Sequence, residues 1–110
     1  MEQTFQKLVR DFIPEKIEKN GEIAVTRILE DSEFRKELYQ KLLEEANEVI
    51  HANTKDERLM ELADVFEVLR VIAELEGSNI EEVEEKAKAK RLKRGGFDKR
   101  IFLEKTYSIQ

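Results

Sequence analysis

Among the acidic residues that lie three positions apart are Glu45 with Glu48 and Glu61 with Asp64. In a helix, side chains three residues apart lie on neighbouring turns of one face. Carboxylates grouped away from water need a cation, or else they take up protons. Mg²⁺ prefers such hard oxygen ligands and is commonly held by a few carboxylates together with the phosphates of a substrate. This pattern therefore favours metal-assisted chemistry on a phosphate ester or anhydride.

Two long helices are predicted to carry these pairs, because apolar residues recur at three- and four-residue intervals around each of them. The first helix runs from about Glu33 to Asn53. The second begins at Thr54, which forms a capping-box pattern with Glu57, and runs to Glu76. A connection this short allows only an antiparallel hairpin.

The hairpin decides which acids face each other, because residues equidistant from its turn lie opposite one another. Glu48 then faces Glu61. One turn farther from the connection, Glu45 faces Asp64. The four carboxylates can therefore converge on one divalent cation.

Glu61 and Asp64 interrupt an apolar face of the second helix instead of lying opposite it. At about 100° per residue, they share a stripe with Val65, Val68, Val71, Ile72 and Leu75. A second apolar stripe leaves only a narrow polar edge, so we expect this helix to be buried on most sides with both acids inside. An ion-pair network with Lys or Arg is the alternative that the pattern leaves open. One partner helix cannot bury so wide an apolar surface, and we therefore expect a homodimer.

The amino-acid composition limits which kinds of metal or catalytic site the chain can form. Cysteine is absent and His51 is the only histidine, which excludes disulfides and thiolate catalysis and argues against sulfur- or histidine-based zinc sites. We interpret His51 as a helix-boundary residue, and Glu44 and Glu67 as solvated surface acids. No apolar run could span a membrane and no signal segment is present, so we expect a cytoplasmic protein with one domain over residues 1–110.

A third, mostly solvent-facing helix is predicted from the start signal of Ser78 with Glu81 to Gly95. Basic residues are concentrated in segment 86–100, and four of them are candidates for phosphate contacts: Lys90, Arg91, Lys93 and Arg94. A nucleic-acid-binding helical module using this segment is an alternative function, although the net charge of −5 and the lack of interleaved aromatic residues argue against it. A non-catalytic helical assembly protein, with its acids in ion pairs, is another.

The remaining segments complete the predicted fold. Pro14 starts a short helical turn that Asn20 and Gly21 end. Residues 22–29 hold β-branched side chains that favour a strand, which could pair with an extended segment near residues 101–109. We therefore predict an all-α, antiparallel helical bundle with a minor extended pair.

Four stretches of the sequence resemble the MazG-like all-α nucleoside triphosphate pyrophosphohydrolases, a superfamily that includes enzymes acting on phosphoribosyl-ATP. The family's E-x-x-E and E-x-x-D signature is matched by LLEEANEV at 42–49 and ELADVFEV at 61–68. The opening of its small members is similar to KLVRDFIP at 7–14, and their ending is similar to KRLKRGGFDKRI at 90–101. Together these stretches span most of the chain. Phe12 stands where relatives often have Lys.

The resemblance implies a function and a set of site residues. It implies a dimeric or tetrameric helical bundle that cleaves a nucleoside triphosphate to the monophosphate and pyrophosphate with Mg²⁺ as cofactor. The metal ligands and catalytic residues it implies are Glu45, Glu48, Glu61 and Asp64. It adds Lys7 and Arg10 as candidate substrate-binding residues. It does not select a base, since members act on deoxynucleotides, phosphoribosyl-ATP or modified nucleotides.

Overall fold

Four helices make up the regular structure of residues 2–109. The computed structural model describes residues 2–109. Its helices are α1 (Ile13–Lys19), α2 (Asp31–His51), α3 (Lys55–Leu75) and α4 (Ile80–Arg94). No residue between 2 and 109 lies in a β-strand, so the all-α prediction is confirmed. Within the same range, no helix has both the length and the apolar character that crossing a membrane requires.

Helices α2 and α3 form the antiparallel hairpin that the sequence predicts. Thr54 Oγ1 accepts a hydrogen bond from the Glu57 N–H at 3.1 Å, and the Glu57 carboxylate accepts one from the Asn53 N–H at 3.0 Å. The first bond occupies a backbone donor that the start of a helix leaves without a partner, and the second ties the residue before the cap to the first turn of α3. The buried apolar side chains of the hairpin are Leu38, Val68 and Ala73.

Helix α4 begins at a different cap from the predicted one. Asn79 Oδ1 accepts a hydrogen bond from the Glu82 N–H at 2.9 Å, so Asn79 and not Ser78 is the N-cap. Ser78 belongs to the preceding turn, where its N–H donates to the carbonyl oxygen of Ala73 at 3.0 Å. All residues from 81 to 94 are exposed, which confirms that α4 faces solvent.

The extended pair predicted near residues 22–29 and 101–109 does not form. Neither segment contains a β-strand, and Val25, in the middle of the first segment, is 94% exposed. β-Branched residues favour strands because they pack against neighbouring strands, and an isolated two-stranded pair is at best marginally stable in water. Without a third strand or a helix beneath it, the β propensity of this segment is not realised.

One face of α3 remains open to solvent in the single chain. Phe66 is 48% exposed, and Leu62 and Leu69 on the same helix are exposed as well. The prediction that α3 is buried on most sides is therefore wrong for one chain. The radius of gyration is 19.2 Å, whereas a compact domain of about 100 residues has about 13 Å. A single chain therefore leaves part of the apolar surface of α3 exposed to solvent.

Candidate metal centre

Three of the four predicted carboxylates converge between α2 and α3. Glu45 comes from α2, whereas Glu61 and Asp64 come from α3, and one carboxylate oxygen of each lies within 4.8 Å of the others. Oxygen ligands held about 2.1 Å from Mg²⁺ stand about 3 to 4 Å apart, so small side-chain rotations would close this group around an ion. We call these three residues the acidic cluster.

Burial differs among the members of the acidic cluster. The Glu45 side chain is 12% exposed and that of Asp64 is 39% exposed, while Glu61 is half-buried. The expectation that Glu61 and Asp64 lie inside the fold is therefore wrong for the single chain. The reason is that, among the described helices, α3 packs against α2 and α4 alone, which leaves one of its sides uncovered.

Glu61 has unfavourable electrostatic surroundings for a carboxylate. Loss of surrounding water raises the pKa of Glu61, and the negative charges of Asp64, Glu48 and Glu45 raise this pKa further. Within residues 2–109, the ion pairs of the cluster involve Asp64 and Glu45 but not Glu61. A carboxylate in this position favours a proton or a metal cation. The donor set and its charge therefore fit a hard divalent cation.

Glu48 lies outside the acidic cluster. Its side chain is exposed, one turn nearer the hairpin connection than Glu45. Its negative charge nevertheless contributes to the raised pKa of Glu61, so it acts on the same group of acids. Its part in metal binding stays a prediction.

Two basic side chains form ion pairs with the acidic cluster. Arg10 Nη2 lies 2.7 Å from Asp64 Oδ1, and Lys41 Nζ lies 3.5 Å from Glu45 Oε1. Arg10 was expected from the sequence, but Lys41 was not. The signal for Lys41 was its position four residues before Glu45, a spacing at which helical side chains meet.

An open cavity of about 260 Å³ lies beside the acidic cluster. It is formed between the amino-terminal segment and the hairpin, and its lining comprises Lys7, Val9, Arg10, Ile13, Lys41, Glu45 and Asp64. The structure therefore brings the predicted residues Lys7 and Arg10 next to the carboxylates. A cavity that combines cations, carboxylates and an apolar wall can accept a polyphosphate together with its metal ion.

The predicted basic residues of α4 do not line this cavity. All four of them are exposed: Lys90, Arg91, Lys93 and Arg94. Within the described part of the chain they form no ion pair with the acidic cluster. Helix α4 ends as predicted at Gly95, which has a φ of +82°. The phosphate-binding role of these residues stays a prediction.

Three other titratable residues have local partners. His51 Nδ1 lies 2.9 Å from a backbone carbonyl oxygen one turn earlier, at the end of α2. Glu67, one turn beyond Asp64 on α3 and not a member of the acidic cluster, accepts a hydrogen bond from Arg70 at 3.1 Å. Glu44 is different from a simple surface acid, because both of its carboxylate oxygens lie 3.4 Å from Lys41 Nζ.

Comparison with known proteins finds a match to one protein family. The family model described as phosphoribosyl-ATP pyrophosphohydrolase matches residues 5–91. The matched range contains the acidic cluster, Glu48 and all residues that line the cavity, and it ends within α4. No curated protein and no solved structure matches the chain significantly.

Proposed function

The chain belongs to the phosphoribosyl-ATP pyrophosphohydrolase family, and from this premise we propose that it is a Mg²⁺-dependent hydrolase of nucleoside triphosphates or related nucleotides. Membership of this MazG-like family implies pyrophosphohydrolase activity on a nucleotide. The proposed products are the nucleoside monophosphate and pyrophosphate. Mg²⁺ dependence and the choice of nucleoside triphosphates as substrates are parts of the proposal.

The observation that carries this proposal is the convergence of three carboxylates beside a cavity with basic walls. Glu45, Glu61 and Asp64 would hold Mg²⁺, and Glu48 lies outside this group of ligands. When bound there, the ion would neutralise phosphate charge and lower the pKa of a coordinated water.

In the proposed reaction, the chain's own residues orient the attacking water, accept its proton and contact the phosphate oxygens. Water attacks the α-phosphorus in line, a new P–O bond forms, and the bond to the bridging oxygen breaks as pyrophosphate leaves. Glu48, which is exposed and outside the acidic cluster, is the carboxylate we assign to orient this water and receive its proton. Lys7 and Arg10 would contact phosphate oxygens, because both line the cavity beside the cluster.

Arg10 is suited to this task because it is exposed and belongs to a non-helical segment. Its guanidinium Nη2 lies 2.7 Å from Asp64 Oδ1. A cation bound by Asp64 would weaken that ion pair by repulsion and leave the guanidinium free for a substrate phosphate. Lys90, Arg91, Lys93 and Arg94 remain candidates for the same kind of contact through a partner chain in the proposed homodimer or tetramer.

Product analysis over a nucleotide panel tests the proposed reaction. The protein is incubated with Mg²⁺ and each common NTP, each dNTP and phosphoribosyl-ATP, and the products are separated by anion-exchange chromatography. We expect monophosphate and pyrophosphate in equal amounts from at least one nucleotide. Diphosphate with inorganic phosphate would contradict cleavage between the α- and β-phosphates. If no nucleotide is cleaved and Mg²⁺ does not change the melting temperature, a non-catalytic assembly protein would be favoured.

A further inference from the structure

Lys41 is the most enclosed cation beside the acidic cluster. Its side chain is 18% exposed, compared with 46% for Lys7 and 58% for Arg10. The ammonium group lines the same cavity as the other two cations, but it projects from α2 instead of the non-helical amino-terminal segment. Of these three cations, Lys41 alone belongs to a long helix, which fixes the position of its backbone.

Lys41 has two acidic partners with different tasks. Its Nζ lies 3.5 Å from Glu45 Oε1 and 3.4 Å from both carboxylate oxygens of Glu44. Glu45 belongs to the acidic cluster, whereas Glu44 does not. If a metal ion neutralises the charge of Glu45, the contacts with Glu44 still hold the Lys41 side chain in place. Glu44 is therefore a positioning residue for Lys41.

The side chain of Lys41 is partly shielded from water, and its ammonium group lines the cavity. Val9 and Ile13 form apolar parts of the lining, with Lys41, Glu45 and Asp64 beside them. Charges that are partly shielded from water interact more strongly than fully solvated ones. A polyphosphate whose metal ion sits on the acidic cluster would bring its non-bridging oxygens close to these cations. The compact charge of a lysine ammonium suits such oxygens.

We propose that Lys41 is a further substrate-binding residue that contacts the polyphosphate chain, held in position by Glu44. This inference rests on the proposed function for its ligand class. The alternative is that Lys41 only forms a helical ion pair with Glu45, four residues along α2, and makes no contact with a substrate. The two roles differ in their effects on metal and phosphate binding.

The test measures two affinities in one variant. Calorimetry gives the affinity for Mg²⁺ alone and then the affinity for inorganic triphosphate at saturating Mg²⁺. In Lys41→Met, we expect triphosphate binding to weaken by about tenfold or more, because a charged hydrogen bond is lost. The same change should leave Mg²⁺ affinity unchanged or tighter, since a positive charge 3.5 Å from Glu45 is removed.

Two further variants serve as controls. Lys41→Arg keeps the charge and should keep most of the triphosphate affinity. Lys36→Met removes an exposed lysine from the first half of the same helix and should change neither affinity. Unchanged triphosphate binding in Lys41→Met would overturn the inference. A parallel loss of Mg²⁺ and triphosphate binding would also overturn it, because that result indicates a structural role.

A failure of the Lys41 proposal can be distinguished from a failure of the proposed reaction. Wild-type protein that binds triphosphate through Lys41 but cleaves no nucleotide would support this inference and remove the proposed reaction. Conversely, a Lys41→Met enzyme with unchanged KM would overturn the inference and leave the reaction intact.

Discussion

At the scale of single residues, the acids of the cluster differ in their partners. Asp64 has Arg10 and Glu45 has Lys41, whereas within residues 2–109 no cation forms an ion pair with Glu61. The raised pKa of Glu61, caused by loss of water and by neighbouring acids, means that its ionised form is disfavoured by folding. Its contribution to stability is present at low pH and is lost as the pH rises through the raised pKa.

Glu61→Gln is therefore expected to stabilise the metal-free protein at neutral pH, because the amide removes a repelled negative charge. Thermal melting in EDTA at pH 7 should show a higher Tm for the variant than for wild type. The difference should shrink toward pH 4, where the wild-type carboxyl takes up its proton. Added Mg²⁺ should raise the Tm of wild type but not that of Glu61→Gln.

Glu67→Gln is the matched control on the same helix, since Glu67 is paired with Arg70 outside the cluster. It should not raise the Tm at pH 7 and should keep the Mg²⁺ response. A lower Tm for Glu61→Gln at pH 7 in EDTA would contradict the electrostatic interpretation of Glu61.

The sequence predicted the positions of the acids better than their surroundings. Helical spacing and a short connection were enough to bring Glu45, Glu61 and Asp64 together. The exposure of Glu48 depends on side-chain directions, and the contact of Arg10 with Asp64 depends on the path of the amino-terminal segment. Periodicity does not contain that information.

At the scale of elements, the α2–α3 hairpin depends on the cap at Thr54. We expect Thr54→Ala to lower the free energy of unfolding by about 1 kcal/mol, because the Glu57 N–H loses its side-chain acceptor. Urea denaturation followed by circular dichroism measures this change. Thr54→Ser retains an acceptor oxygen and should lose much less. Equal stability of the alanine and serine variants would show that the cap does not stabilise the hairpin.

Two local predictions were wrong, the N-cap of α4 and the extended pair near residues 22–29 and 101–109. Ser78 and Asn79 each precede an acidic residue by three positions, so spacing alone could not choose the N-cap of α4. The turn after α3 decides it, since it uses the Ser78 N–H to close on Ala73. The residues at 22–29 had β propensity, but that propensity acts through packing neighbours that this chain does not supply.

At the scale of the whole molecule, the exposed face of α3 and the large radius of gyration favour association. We expect a homodimer or tetramer at micromolar concentration by light scattering coupled to size-exclusion chromatography. Phe66→Glu should shift the protein toward the monomer, because it places a charge on this face. Ile23→Glu, in the exposed non-helical segment before α2, is the control and should leave the mass unchanged. A monomeric wild type would contradict the expectation.

The sequence predicted which faces are apolar, but not what covers them. Stripes along α3 were correctly identified as apolar, yet Leu62, Phe66 and Leu69 remain exposed in one chain. Helical periodicity is a property of one element, whereas burial depends on every element that packs against it. The same limit applies to α4, whose basic residues face solvent.

The central claim is that the acidic cluster holds the Mg²⁺ needed for release of pyrophosphate, and the initial rate of that release as a function of Mg²⁺ concentration tests it most directly. The rate should rise and saturate with Mg²⁺ in wild type and in Glu67→Gln, and should vanish in EDTA. In Asp64→Asn, it should fall by about 100-fold or more at equal Mg²⁺. Pyrophosphate release that persists in EDTA, or that is unchanged in Asp64→Asn, would contradict the claim.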